Sequence, residues 1–527
     1  MTEIPEDRAQ LGGRALSRLR LGEGTDQGEG PRPRRGEQPF ETRTHGSLHH
    51  RPPPADAGSV PRLRIAAATA SGRRAEGERT LAARGGELQR LVGSVIDRCG
   101  CGRRHRVSVQ LVAIERGALA RVAEAAGRFA PRGALRLLAD PETHEAAGAE
   151  IARRLRTAGR RVDECVLPRR PRADERHLEI AASRLPADLG GIVAVGSGTI
   201  NDIGKELARR TGTPLITVGT AASMNGYASP VAALTIGGLK VTRPAPAPRA
   251  LLLDTDVLAQ APARLRRAGF GDLASKPAAA ADWLLSGILF GTPVCPLALE
   301  IAGRAVRSAR ARARAIGEGD PEAVAGLAES LVLSGISMEL AGSSAPASGG
   351  EHLLSHYLDL SAAGWGRTPR LHGEQVAVGT RVSLALYRMI RQEGRRHLSG
   401  PSPADETDVE LERLHDHLRP DTRAAVLAAA RAKRDRSPGR DERRRRYAAE
   451  WEAIWRCLDS SLLSSAGLDD DLAAAGVPAT FEAIGVPPRR ARDLIVRARH
   501  MRDRFTVLDF AADLGLLERA ADRLASL

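Results

Sequence analysis

Three segments in the second half of the chain carry polar residues in otherwise apolar, helix-like sequence. The first is Gly269-Phe270-Gly271-Asp272-Leu273-Ala274-Ser275-Lys276, followed by Asp282-Trp283. The second is Ser348-Gly349-Gly350-Glu351-His352-Leu353-Leu354-Ser355-His356, and the third is Leu371-His372-Gly373-Glu374-Gln375-Val376-Ala377-Val378-Gly379. His352 and His356 are four residues apart, so on a helix they share one face, one turn apart. His372 opens the next apolar run. One Asp with two His is a sufficient ligand set for a divalent metal, and it leaves a coordination position for substrate. A single His of this kind is more often a plain surface or core residue, and the spacing is less specific than HExxH. Lys276, one turn beyond Asp272, has two expected partners, a substrate phosphate or a nearby acid.

A second chemistry resides in glycine-rich turns. Gly196-Ser197-Gly198-Thr199-Ile200-Asn201-Asp202 follows the apolar strand Gly191–Val195 and opens a helix. Glycines at 196 and 198 let backbone N–H groups approach a pyrophosphate, and the helix N-terminus adds positive potential. The spacing departs from strict G-x-G-x-x-G, and structural turns of this composition are common. The next strand ends in a similar turn, Gly219-Thr220-Ala221-Ala222-Ser223-Met224-Asn225-Gly226-Tyr227-Ala228-Ser229. Two such turns at adjacent strand ends mark the ligand crevice of an open α/β sheet, so a dinucleotide is the expected cofactor. Asp140 ends an earlier strand. It suits a ribose 2′-hydroxyl, and it reads equally as a turn Asp before Pro141.

These residues need a scaffold, and the periodicity supplies one. From about 105 to 255 strand-like and helix-like runs alternate, which predicts a Rossmann-like α/β domain with a parallel, doubly wound sheet. RVSVQLVAI, GALRLLAD, RRVDECVL, GGIVAVGSGT and PLITVGT read as strands, and RALLLDTDVLAQAP closes the unit. After about 262 the strand signals fade and every long segment has helical period, so an all-helical C-terminal domain follows. The predicted boundaries are a disordered, Pro- and Gly-rich basic tail over 1–77, the α/β dinucleotide-binding domain over 78–261, and the helical metal- and substrate-binding domain over 262–527. An irregular, partly helical insert is expected at about 399–446.

Composition limits the function classes. The chain has 527 residues, 42% hydrophobic and 27% charged, which fits more than one globular domain. No run approaches the ~18 to 20 uncharged apolar residues of a membrane span, and the N-terminus lacks a secretory h-region. Five cysteines fit a reducing cytoplasm rather than a disulfide scaffold. The net charge of +15 raises the question of nucleic acid. The basic residues cluster in the tail and the insert with few aromatics between them, so nucleic acid is not the expected partner, and positive charge also draws an anionic substrate to a cleft. The helical domain has room for a homo-oligomeric surface.

Five blocks together resemble a known family: GSGTINDIGK, TAASMNGYAS, GFGDLASKPAAAADW, SGGEHLLSHYLDL with HGEQVAVGT, and RARHMRDRFTVLDFAADLG. The sequence resembles the glycerol-1-phosphate dehydrogenases, within the superfamily of iron-containing alcohol dehydrogenases, glycerol dehydrogenase and 3-dehydroquinate synthase. The EHxxSH block and the NGYAS turn favour the glycerol-phosphate branch. The resemblance implies that Asp272, His352 and His372 bind a metal, zinc first among the candidates. It implies that His356 contacts substrate, and that Gly198 through Asp202, Thr220 through Ser223 and Ser229 bind NAD or NADP. The family usually has Asp where this chain has Asn225, which keeps the hydrogen-bonding shape and loses a negative charge. The implied reaction is metal-dependent reduction of dihydroxyacetone phosphate to sn-glycerol 1-phosphate. Two rival readings are a 3-dehydroquinate synthase-like lyase and a non-catalytic basic binding protein on the same scaffold. Cys99, Cys101 and His105 supply three metal-ligand types but have no partner cluster nearby in sequence, so they are expected to be structural residues.

Overall fold

The computed structural model describes residues 86–527, except Arg367 and Pro369. The tail predicted over 1–77 lies outside the described residues. The described chain opens with a short antiparallel hairpin, β1 (Val95–Ile96) and β2 (His105–Arg106). Five strands follow, separated by helices: β3 (Leu111–Glu115), β4 (Ala134–Ala139), β5 (Val162–Val166), β6 (Leu189–Gly196) and β7 (Leu215–Gly219). A second hairpin, β8 (Val231–Ile236) and β9 (Leu239–Pro244), precedes β10 (Ala250–Asp254).

Six of these strands form one parallel sheet in the order β3-β10-β7-β6-β4-β5. Every residue of β4, β7 and β10 is buried, because helices cover both faces and each side chain meets an apolar layer. Leu137, Val193, Val218 and Leu252 pack into the core on one side, and Ile192, Ala194, Ile203 and Leu207 into that on the other. The helix Gly198–Thr211 leaves the end of β6 at once, so its N-terminus lies at the carboxyl edge of the sheet.

The hairpin β8–β9 is an addition to the expected pattern. Its two-residue turn, Gly237-Gly238, has φ of 57° and 79° at the two glycines, the conformation that joins antiparallel strands with the correct twist. Beyond β10 no strand occurs among the described residues. The helix Pro321–Ala341 has the length and apolarity of a membrane span, yet 83% of its apolar window is buried inside the protein. It is a core helix, packed against Pro296–Arg310.

The region 399–446 is more regular than expected. It holds the helices Asp408–Leu414 and Pro420–Arg436 and the start of Arg440–Leu463. Much of the Arg-rich stretch is held in ion pairs. Arg440 and Arg443 bind the buried Asp513, Lys433 binds Asp509, and Arg431 and Arg434 bind Asp408. Its Pro and Gly residues mark helix boundaries, not loss of structure.

A chain of buried rings ties this region to the remaining helices. The Tyr357 hydroxyl lies 2.7 Å from His415 Nδ1, and His415 Nε2 lies 3.0 Å from His500 Nδ1. Burial, then His417 and Arg497, pushes His415 down to about 3. Burial, followed by Arg499 and His415, holds His500 well below the usual histidine range. The folded protein therefore resists protonation that the unfolded chain accepts below ~6.5. This stability is intact above that pH and declines from ~6.5 toward 3, His415 alone accounting for about 3 kcal/mol by pH 4. Thermal denaturation across pH 7 to ~4 should show this acid slope, and His415→Asn should flatten it; an unchanged slope would remove His415 from the account.

Candidate metal and substrate site

Close backbone contacts bring the three polar segments together. The helices Ala263–Ala274, Gly350–Gly364 and His372–His397 pack with glycine at the crossing points. A Cβ on Gly373 would lie 1.7 Å from the Ala268 carbonyl oxygen, and one on Gly269 would lie 2.0 Å from that of Ala222. Any side chain there would force the elements apart. The first contact seats His372 against the helix that carries Asp272. The second presses that helix onto the turn after β7.

Asp272, His352 and His372 converge, with one ligand atom from each within 4.8 Å of the others. His352 Nε2 lies 3.6 Å from Asp272 Oδ1. The rings of His352 and His372 have centroids 5.0 Å apart. Asp272 is 1% exposed. Burial alone would raise its pKa, but Lys276, then His352 and His372, hold the carboxyl well below the usual carboxylate range. Lys276 Nζ donates to Oδ1 at 2.8 Å, and the Asn225 N–H donates to Oδ2 at 3.0 Å.

Neighbouring groups set the orientation of both imidazoles. His352 Nδ1 lies 2.8 Å from Glu351 Oε1, which also accepts the Gly349 N–H. The carboxylate fixes a proton on Nδ1 and leaves the Nε2 lone pair toward Asp272. Ser355 Oγ donates to Gln375 Oε1 at 2.8 Å, so it accepts from His372 Nδ1 at 3.1 Å. His372 therefore also has a free Nε2 lone pair. Burial, then Lys240 and His352, holds His372 well below the histidine range, so it is neutral. The result is one carboxylate oxygen and two imidazole nitrogens, a donor set that suits a divalent cation. Glu351 was not singled out in the sequence; the only signal was an acid adjacent to a histidine.

His356 stands beside the trio, its ring centroid 5.6 Å from that of His372. Arg502 donates to its Nδ1 at 3.1 Å, so the proton of the neutral ring sits on Nε2. Burial, followed by Arg502 and Lys240, keeps it neutral. Arg502 itself is pushed down to about 10 by burial and by Arg504. No carboxylate lies within ion-pair distance of Arg502 or Arg504 among the described residues. These arginines belong to the RARHMRDRF block, and only the fold places them here. Lys276 binds one of its two expected partners, the acid Asp272. Its ammonium is 2% exposed and is bonded to the Asp272 carbonyl and carboxylate, Ser275 Oγ and the Ala347 carbonyl.

The two glycine-rich turns are adjacent, as expected. Gly196 pairs with Gly219 in register, and the Thr220 N–H donates to the Gly196 carbonyl at 3.1 Å. Ser197 caps the helix Gly198–Thr211 with no side-chain hydrogen bond, so the N–H groups of Gly198, Thr199 and Ile200 lack a capping side chain. Asn201 works inward, with Nδ2 donating to the Gly226 carbonyl and Oδ1 accepting from Thr217. Lys205, unremarked in the sequence, is fully buried and clamps the second turn through the carbonyls of Gly226, Ser229 and Val231 and the hydroxyl of Ser229. Asp202, one turn before it, is pushed up by burial against the pull of Lys205. Ala221, Ala222 and Ser223 run from Thr220 along the edge facing Ala263–Ala274, and Asn225 Nδ2 donates to Ser334 Oγ at 3.3 Å. Asp140 caps the turn Pro141–Thr143, its Oδ1 accepting the Thr143 N–H at 2.8 Å.

A parallel nucleotide-type sheet, set against helices that carry a buried Asp-His-His trio, points to the class of iron-containing alcohol dehydrogenases. The profile of that family matches residues 113–262. Glycerol dehydrogenase from Schizosaccharomyces pombe superposes with a TM-score of 0.53 at 18% identity, over 79% of this chain and 90% of that one. A probable glycerol dehydrogenase from Sinorhizobium meliloti gives 0.51 at 17% identity, over 79% and 96%. At such identities the likeness concerns the fold alone. Sequence similarity is more specific. Glycerol-1-phosphate dehydrogenase (NAD(P)+) of Bacillus licheniformis is 32% identical over 383 residues, 67% of this chain and 93% of that enzyme. The enzyme of the same name from Methanothrix thermoacetophila is 33% identical over 298 residues, 56% and 82%. The chain belongs to the glycerol-1-phosphate dehydrogenase family.

The Glu351–His352 contact generates a prediction. Glu351→Gln keeps the shape but loses the charge that fixes the ring, and it is expected to weaken divalent-metal affinity by about 10- to 100-fold. Competition with a chromogenic chelator measures this, and an unchanged affinity would show that His352 needs no such partner.

Proposed function

We propose that this protein interconverts dihydroxyacetone phosphate and sn-glycerol 1-phosphate, with NAD or NADP as the hydride carrier. The observation that carries this reading is the convergence of Asp272, His352 and His372 beside His356, to which the half-buried Arg502 donates, in a member of this family. Asp272, His352 and His372 would hold the metal, with zinc as the proposed ion because the oxygen and nitrogen donors suit it. A divalent ion supplies Lewis-acid polarisation of a ketone oxygen, and a nicotinamide supplies the hydride.

The side chains have separate tasks. Asp272 stays ionised because Lys276 and the Asn225 N–H compensate its charge in a site shielded from water. His356 offers an Nε2–H as donor to the substrate oxygen, a proton that Arg502 assigns to that nitrogen by occupying Nδ1. Arg502, Arg504 and Lys240 supply the positive potential that a phosphate requires. Arg502 holds Thr242 on β9, and Lys240 on the same strand pairs with Asp359. A bidentate guanidinium with no carboxylate partner is well suited to a phosphate dianion. The N–H groups of Gly198, Thr199 and Ile200 are the proposed pyrophosphate donors. Thr220 through Ser223 line the crevice beside them. Asp140 ends β4, the neighbour of β6, and is the carboxylate proposed for a ribose hydroxyl. All five cysteines are free, which supports a cytoplasmic location.

Asp272→Asn and His352→Ala should each lower kcat by at least about 100-fold. The assay follows NADH or NADPH oxidation with dihydroxyacetone phosphate, and retained turnover in either variant would reject the metal assignment. Release of inorganic phosphate with no net change in the nicotinamide would favour the lyase reading instead. Arg502→Ala should raise KM for dihydroxyacetone phosphate by about 10- to 100-fold, with little change for unphosphorylated dihydroxyacetone. An equal effect on both ketones would place the phosphate elsewhere.

A further inference from the structure

Cys99, Cys101 and His105, expected to be structural residues without a partner cluster nearby, gain a partner through the fold. Their missing partner is Cys295, which lies some 190 positions from His105 in sequence. Cys99 Sγ lies 3.7 Å from Cys295 Sγ, Cys101 Sγ lies 3.1 Å from His105 Nε2, and Cys295 Sγ lies 3.7 Å from the same nitrogen. One ligand atom from each of the four lies within 4.8 Å of the others.

We propose that these four residues form a second metal site, a closed Cys3His zinc centre separate from the catalytic trio. Zinc–sulfur bonds of about 2.3 Å in a tetrahedron put sulfurs about 3.8 Å apart, and that is the spacing of Cys99 and Cys295. A disulfide would need about 2.0 Å. Three thiolates and an imidazole complete four-coordination and leave no position for substrate, so the site is structural. It shares no residue with Asp272, His352 or His372.

The surrounding structure is arranged for it. Cys99, Cys101 and His105 lie on the loop and second strand of the β1–β2 hairpin. Gly102, at φ +75°, turns this loop back, and its N–H donates to the Cys99 carbonyl. His105 and Cys295 are buried. Cys295 is the N-cap of the helix Pro296–Arg310. Zinc with three thiolates carries one net negative charge, which the positive end of a 15-residue helix favours. A metal here joins the hairpin, which leads directly into β3, to a core helix of the other half. Two short strands have too little apolar surface to hold that position alone. The proposal is independent of the redox reading.

Elemental analysis of the full chain, grown with zinc, tests it. The protein should retain about one zinc equivalent in Asp272→Asn, and lose it in Cys101→Ser and Cys295→Ser. Cobalt-grown protein should show a thiolate-to-cobalt charge-transfer band, absent from the Cys variants and intact in Asp272→Asn, because the catalytic trio has no sulfur. Should the variants fail to fold, wild type answers the question. Titration with p-hydroxymercuribenzoate should release about one zinc, read with a chromogenic chelator. Thiols that titrate without metal release, zinc content indifferent to the cysteines, or a Cys99–Cys295 disulfide by mass spectrometry would each overturn the proposal.

Discussion

The negative charge of Asp272 lies almost wholly out of water, where the sheet's second turn meets three helices. An isolated carboxylate in such a place would take up a proton rather than stay charged. Here Lys276 and the backbone N–H of Asn225 offset the cost, and two imidazoles face the same point. Removing one partner would leave the other buried and unpaired, so the pair is more useful as a register device than as a source of stability. It fixes where the turn after β7 sits relative to the helix Ala263–Ala274.

The rest of the site follows from that register. Lys205, on the helix that opens from the first glycine-rich turn, binds two carbonyls of the second turn and the first carbonyl of β8. The same second turn donates to Asp272 from its Asn225. A continuous polar link therefore runs from the sheet's carboxyl edge to the metal-type trio, with every bond short and mostly buried. Glycines at 269 and 373 permit the backbone approach that this link requires. Together they hold the sheet's carboxyl edge and the Asp-His-His trio at a fixed separation.

The excess of positive charge has two fates. In the region 399–446 much of it is paired within the protein, with buried Asp509 and Asp513 and with exposed acids. At Arg502, which donates to His356, and at Arg504, no carboxylate lies within ion-pair distance among the described residues. The contrast between the compensated and uncompensated cations distinguishes scaffold from site more sharply than net charge does.

Much of this was visible in the residues themselves. Alternating apolar runs announced the parallel strands because each strand must bury both faces, and the helical period beyond 262 announced the change of architecture. Asp272, His352, His356 and His372 stood out as polar residues in otherwise apolar, helix-like sequence, two of them one turn apart on one helix face. The β8–β9 hairpin was missed although Gly237-Gly238 is a strong turn signal, because neighbouring parallel strands dominated the pattern. What linear order could not supply was partnership across distance. That Cys295 joins Cys99, Cys101 and His105, that Glu351 rather than a remote acid steadies His352, and that Arg502 reaches His356 are matters of three-dimensional packing. Local residue types dictate which chemistry is available, but only the closed chain decides which groups lie within bonding distance, since those contacts arise from long-range burial and not from spacing.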